Sequence, residues 1–327
     1  MDVTYVLPLR ATHPPSPDLV EHLAAIAAVA QVVVADSSPD EVFAANARAW
    51  GSFATHVRPD PRHRCANGKV HNVLTALDHV RTEAVVIADD DVRYTPALLR
   101  AVVAELAVAD VVVPQNVFVA ADGSRVPWHA VWDTARTLLN RVSGGDFPGT
   151  LAVRTEALRR TGGYDGDVLF ENLELMRTVA AAGGTVRRAD GLFVPRRPPT
   201  AAHFRGQRTR QAYDEFARPR RLVAQLAIVP VVLAARRSPQ VLIAMAGAAV
   251  LAAEIGRRRN GLRQHAPVAA SLLAPAWVLE RGCGAWLAVI ARLRGGVRYG
   301  GGRLVVAAHS DDELRRRHRS PAVRVSA

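Results

Sequence analysis

Over the first third of the chain, short branched apolar runs alternate with amphipathic stretches. Residues 3–9 predict a strand, and Pro14, Pro15 and Pro17 mark the loop beyond it. A helix is expected from a cap at Asp18 to about residue 30, with Leu19, Leu23 and Ile26 on one face. Residues 31–35 are a second strand closed by Asp36-Ser37-Ser38, and a helix follows Asp40. A third strand is expected over 54–57, a helix over 70–80, a strand over 84–88, a helix from Pro96 to about 107, and an apolar run over 110–114. Strand-helix alternation of this kind predicts an α/β domain: a mostly parallel sheet flanked by helices on both faces. No GxGxxG opens the first turn, so the dinucleotide fingerprint is absent, and no internal repeat is visible.

The pattern changes after about residue 215. Arg218-Pro219-Arg220-Arg221 precedes an uncharged run over 222–235. Apolar runs over 241–253, 266–279 and 285–291 follow, bounded by arginines. Each is shorter than the roughly 20 residues that cross a bilayer core. They can span with snorkelling arginines and bilayer thinning, lie in the interface as basic amphipathic helices, or pack as a soluble helical subdomain. The expected organisation is a catalytic domain over 1–216, a membrane-associated helical region over 217–293, and a basic polar tail over 294–327 that is flexible and cytoplasmic by the positive-inside tendency.

Charge supports this division. The formal net charge is +12, densest from Arg196 onward and interleaved with apolar stretches, which points to a membrane surface and away from nucleic acid. Cys65 and Cys283 are too few and too far apart for a disulfide framework or a Cys-rich metal site. The N-terminus reads as a first strand and lacks the pattern of a signal peptide.

The candidate chemistry begins at Asp89-Asp90-Asp91, which ends the 84–88 run. Acids at the C-terminal end of a parallel strand lie on the ligand-binding edge of an open sheet. Three adjacent carboxylates repel one another, and a hard divalent cation compensates them; a solvated acidic turn opening the next helix is the alternative. Asp36 ends the neighbouring strand on the same edge, able to accept hydrogen bonds from a base or ribose, or to cap a turn. Lys69, in Asn67-Gly68-Lys69, stands at a helix start that favours phosphate, or is a solvated helix residue.

Further along come Gly149–Arg154, Gly162-Gly163-Tyr164-Asp165, Phe170-Glu171-Asn172, and His203 with Gln207-Arg208-Thr209-Arg210-Gln211. Leu175, Val179 and Ala182 share a helix face by spacing and read as core. In order and spacing the set resembles the family-2 glycosyltransferases of GT-A fold, particularly the membrane-associated ones, over roughly residues 3–216. Val6-Leu7-Pro8 resembles the family's opening strand, Asp36 its nucleotide-contacting acid, and Gly68-Lys69 with Asn72 its Gly-Lys helix start. Asp89-Asp90-Asp91 resembles its Asp-x-Asp metal motif, the Gly149 segment its acceptor side, and Gln207-x-x-Arg210 its Gln-x-x-Arg-Trp motif, with Gln211 in place of Trp. Glu171-Asn172 falls on the Glu-Asp pair, so an amide stands where the family's general base stands. An amide cannot accept the proton, and the adjacent Glu171 is the candidate base, or only a helix-start acid.

The resemblance implies an inverting transfer from a nucleotide-sugar donor. Pro8, Asp36, Lys69, Asp89 and Asp90 would hold the donor. Asp89 and Asp91 would hold Mg²⁺ or Mn²⁺, with His203 as a further metal ligand or else a surface histidine. Gly149, Gln207, Arg208 and Arg210 would face the acceptor or the diphosphate. The basic, apolar C-terminal half suggests a lipid or lipid-linked acceptor at the cell membrane, with the catalytic domain cytoplasmic. Two other readings remain open: a catalytically inactive nucleotide-sugar-binding or membrane scaffold protein, which Asn172 favours, and a soluble nucleotidyltransferase with a similar sheet.

Overall fold

The computed structural model describes residues 1–319. The chain runs β1 (Val3–Leu9), α1 (Pro17–Ala27), β2 (Gln31–Asp36), α2 (Asp40–Trp50), β3 (Thr55–Val57), α3 (Gly68–Leu77), β4 (Ala84–Ala88), α4 (Pro96–Ala104), β5 (Val111–Phe118), α5 (Trp128–Val142), β6 (Thr150–Arg154), α6 (Thr155–Thr161), α7 (Glu171–Ala181), β7 (Val186–Arg196) and α8 (Ala201–Tyr213). Then come α9 (Pro219–Ala234), α10 (Pro239–Arg258), α11 (Val268–Leu272), α12 (Ala274–Leu293), β8 (Val297–Tyr299), β9 (Gly302–Leu304) and α13 (Asp311–Arg319).

Seven strands form one sheet in the order β3-β2-β1-β4-β6-β5-β7. Tyr5, Leu7 and Leu9 of β1 pack on one face with Leu19, Leu23 and Ile26 of α1 and Leu99 of α4. The alternate residue Val6 packs on the other face with Val70 and Val73 of α3 and Leu175 of α7. Burial on both faces explains why β1, β2 and β4 are continuous apolar runs and do not alternate. β6 is antiparallel to both β4 and β5, and β5 pairs parallel with β7. The C-terminal ends of β1, β2, β4, β5 and β7, and the N-terminal end of β6, therefore share one edge.

Several local expectations change. Ser16, not Asp18, caps α1: its hydroxyl accepts from Leu19 N, and Pro17 occupies the first turn, where no N–H is needed. Asp18 instead binds Arg93 and Arg197. The 110–114 run extends to Phe118, with a register shift after Pro114, which cannot donate to the ladder. Leu175 and Val179 are core, but Ala182 lies past the end of α7 and is only partly buried.

The C-terminal half departs further. α10 is longer than its uncharged run, and one candidate membrane span, Pro239–Gln264, is mostly exposed. The segment expected as a flexible tail is folded through residue 319. β8 and β9 form a hairpin, Leu169 N and Phe170 N donate to Val306 O and Ala307 O, and His309 Nδ1 lies 2.8 Å from Glu174 Oε1 on buried α7. Residues 320–327 of that tail lie outside the described residues.

Candidate functional site

The site is built where the sheet edge meets α3, α7 and α8. Asp89 follows β4, and its backbone N–H donates to Gly149 O at the start of β6. A Cβ on Gly149 would collide with Asp89 Oδ2 and crowd the Arg196 guanidinium, so only glycine allows this approach. Gly149 N in turn donates to Asn116 Oδ1 at 2.7 Å.

Two cations, Lys69 and Arg196, compensate the acidic triplet. Lys69 Nζ lies 2.6 Å from Asp89 Oδ1 and 2.7 Å from Glu171 Oε1. Burial works against the Lys69 charge, but the two carboxylates outweigh it and hold the ammonium well above its usual pKa. Lys69 is therefore not a solvated helix residue; it joins α3 to β4 and α7. Arg196, at the end of β7, lies 2.7 Å from Asp91 Oδ2 and 3.4 Å from Asp89 Oδ2. Nothing local marked Arg196 among its arginine neighbours. Asp90 is exposed and, among the described residues, joins no ion pair.

Asp91 Oδ1 is buried without a hydrogen-bond partner. Buried carboxylate oxygens are normally satisfied, and this one is a hard oxygen donor beside Asp89, so the residues fit a Mg²⁺- or Mn²⁺-sized oxygen-seeking cation. His203 is exposed on the first turn of α8, with Gln207 as its neighbour. Partial desolvation and then Arg210 lower its pKa, while Asp91 acts in the opposite sense. That places His203 within electrostatic reach of the triplet, but no contact joins them.

A cleft of about 240 Å³ opens beside these groups. Lys69, Asp89, Gly149, Glu171, Gln207 and Arg210, six of the twelve expected site residues, line it together with Arg196. Pro8, Asp36, Asp90, Asp91, Arg208 and His203 do not line it. Asp36 is fully buried, bound by Ser38 N, Asn46 Nδ2 and His56 Nε2 at 2.8, 2.7 and 3.0 Å. Burial alone would raise its pKa, but these bonds outweigh it and hold the carboxyl down at about 2. Asp36 thus pins β2 to α2 and β3, which corrects its expected role as a direct nucleotide contact. Pro8, half-buried beside Ala35 at the end of β1, is outside the cleft lining. Arg208 turns away to Glu280 of α12 and, at 3.1 Å, Asp133 of α5, so it fastens the C-terminal helices and does not face a diphosphate.

Asn172 is buried, and its Nδ2 donates to Pro148 O at 2.9 Å. The amide thus positions the loop before Gly149, a contact that an aspartate could not make. Glu171 faces the cleft. Asp214 and Tyr299, which no sequence motif marks, also line it. Burial pushes the Asp214 carboxyl up to about 7, and the charge of Glu171 adds to the effect. Tyr299 OH donates to Asn67 Oδ1 at 3.0 Å, at the cap of α3, and the Arg210 guanidinium stands 5.5 Å from the Tyr299 ring. A tyrosine in a Gly-rich, basic C-terminal stretch carries no sequence signal for this placement.

Comparison with known proteins agrees with this architecture. Residues 18–162 match the family model described as glycosyl transferase family 2. No curated protein matches the chain. Among solved structures, the mannosyltransferase PcManGT from Pyrobaculum calidifontis, described in complex with GDP-Man and Mn²⁺, is 21% identical with a TM-score of 0.54, covering 87% of this chain and 86% of that one. Glucosyl-3-phosphoglycerate synthase from Mycobacterium tuberculosis, in complex with Mn²⁺, UDP and glucosyl-3-phosphoglycerate, is 17% identical with a TM-score of 0.44, covering 64% and 77%. The fold is GT-A-like, and residues 18–162 resemble a family-2 glycosyltransferase domain.

Proposed function

We propose that the protein transfers a sugar from a nucleotide-diphosphate donor to a lipid or lipid-linked acceptor at a membrane surface. One observation carries the catalytic reading: Asp89, Asp91, Lys69 and Glu171 converge at the sheet edge while Asp91 Oδ1 is left without a partner. Asp89 and Asp91 are the residues to hold Mg²⁺ or Mn²⁺; the structurally similar mannosyltransferase is described with Mn²⁺. Such an ion supplies charge neutralisation for the departing diphosphate.

The chain's own residues do the rest. Lys69 and Arg196 favour the ionised forms of Asp89 and Asp91 and bring positive charge to the donor phosphates. Arg210, beside Tyr299, adds a further cation at the cleft wall. Glu171 takes the proton of the acceptor hydroxyl as that oxygen attacks the anomeric carbon, and the nucleoside diphosphate leaves with the bonding electron pair. Attack opposite the leaving group inverts the centre. Pro8, Asp36 and Asp90 serve the donor side indirectly, by shaping the edge on which it lies.

Membrane action rests on the exposed apolar surface. Fourteen of the nineteen exposed large hydrophobic residues among the described residues lie between Val223 and Leu293. Patches of this extent mark a membrane or partner surface. Arg257, Arg258 and Arg259 close α10, which favours a cytoplasmic catalytic domain at the cell membrane.

The test is Asp91→Asn in the full chain, with released nucleotide measured across nucleotide sugars in Mn²⁺. Turnover is expected to fall at least a hundredfold; undiminished metal-dependent turnover overturns the reading. Asn172 favours a second reading, a donor-binding scaffold without turnover. Wild-type protein that binds a nucleotide sugar with Mn²⁺ yet never consumes it, with membrane lipid extract present, would establish that reading.

A further inference from the structure

A larger hollow than the cleft lies beside the carboxylates. A groove of about 1120 Å³ runs between α8, α12 and the β8–β9 hairpin. Arg210, Arg294, Arg298 and Arg303 line it, and no acidic residue does. The contrast with Arg208, Arg196 and Arg197 is sharp, since each of those is matched to a carboxylate. Among the described residues none of the four groove arginines forms an ion pair; Arg303 donates only to Gly296 O. Four unmatched guanidinium groups around one hollow repel one another, and an anion there relieves the repulsion with charge-assisted hydrogen bonds.

Part of the lining is apolar. Leu287 is 53% exposed and Ile290 is 42% exposed, both on α12. They continue into Trp286 and Leu293, which are exposed on the same helix, and so into the apolar surface already described. The groove also meets the catalytic cleft, because Arg210 and Tyr299 line both.

We propose that this groove binds the acceptor, and that the acceptor is an amphiphile whose phosphate or diphosphate is held by Arg294, Arg298 and Arg303. Its apolar chain lies along Leu287 and Ile290. Its terminal hydroxyl passes Arg210 and Tyr299 to reach Glu171. This assignment rests on the transferase reading above and adds the acceptor's chemical class and seat. A free anion explains the arginines but not the apolar lining; an uncharged lipid explains that lining but not the arginines.

The experiment uses the full chain in dodecyl maltoside, titrated separately with dodecyl phosphate, dodecanol and inorganic phosphate. Dodecyl phosphate is expected to bind at least tenfold tighter than either half-molecule. The double variant R294A/R298A is expected to lose that preference over dodecanol, and Leu287→Glu to lose the preference over inorganic phosphate. Nucleoside diphosphate affinity in Mn²⁺ reports that each variant is folded. Equal binding of inorganic phosphate overturns the proposal in favour of a free-anion site, and equal binding of dodecanol removes the phosphate. Dodecyl phosphate binding untouched by both variants also overturns it. Donor hydrolysis is measured in parallel: a protein that consumes no nucleotide sugar but shows the amphiphile preference breaks the transferase reading alone, whereas active protein without the preference breaks this one alone.

Discussion

Arg196 Nε lies 2.7 Å from Asp91 Oδ2, although 105 residues separate them along the chain. The pair ties the end of β7 to the turn after β4, and it places a fixed cation where the acidic triplet needs one. Replacing Arg196 by Gln leaves Asp89 and Asp91 facing each other without that charge. The metal-free variant is expected to be less stable by about 1–3 kcal/mol, the cost of an unpaired buried polar group. Mn²⁺ is expected to stabilise the variant more than wild type, because the ion replaces the lost cation. Thermal melts with and without Mn²⁺ measure both effects; the same Mn²⁺ shift in the two proteins argues against a cation at these carboxylates.

Gly149→Ala tests the approach of β6 to Asp89. A methyl group there meets Asp89 Oδ2 and the Arg196 guanidinium, so one or both must move. Displacement of catalytic groups by about 1 Å costs on the order of a hundredfold in rate. Donor turnover is expected to fall by about that factor with the fold retained by circular dichroism. Full activity would mean that Asp89 does not work from this position.

Restoring the family's acid at position 172 is expected to harm the protein. Asn172 Nδ2 donates to Pro148 O, and Asn172→Asp sets an acceptor against an acceptor in a buried place. The expected loss is about 1–3 kcal/mol by denaturant melt, with no gain in turnover. Glu171→Gln, by contrast, is expected to lower kcat by about 10²–10⁴-fold, the usual scale of a general base. A more active Asn172→Asp enzyme would move the base role away from Glu171.

Asp214 predicts a pH dependence of stability. Burial, and then the charge of Glu171, push its carboxyl up from an ordinary value of 3.8 to about 7. Between those values the native state binds more protons than the unfolded state, so stability falls as pH rises from about 4 to about 7 and levels off above that. Asp214→Asn is expected to raise the Tm at pH 8 and to change it little at pH 4. A variant destabilised equally at both values would exclude a titrating Asp214.

Much of the catalytic half was legible because each local signal agreed with its neighbours. Tyr5, Leu7 and Val6 alternate between two buried faces, so β1 reads as a strand from its residues alone. Asn67-Gly68-Lys69 reads as a helix start because Asn67 caps it within three residues. The roles of Asp36 and Arg208 were not legible. Their chemistry suits a nucleotide or diphosphate, and only packing shows that His56 with Asn46, and Glu280 with Asp133, already occupy them.

The chain by itself determined which segments become buried strands, where acids end β4, and which half is apolar and basic, because those properties depend on residues a few positions apart. The tertiary structure decided that β6 runs antiparallel between β4 and β5, that Arg196 reaches Asp91, and that Tyr299 returns to cap the cleft beside Asn67. Those pairings join residues from about 40 to 232 positions apart. Their partners are selected by sheet register and helix packing, which no local pattern encodes.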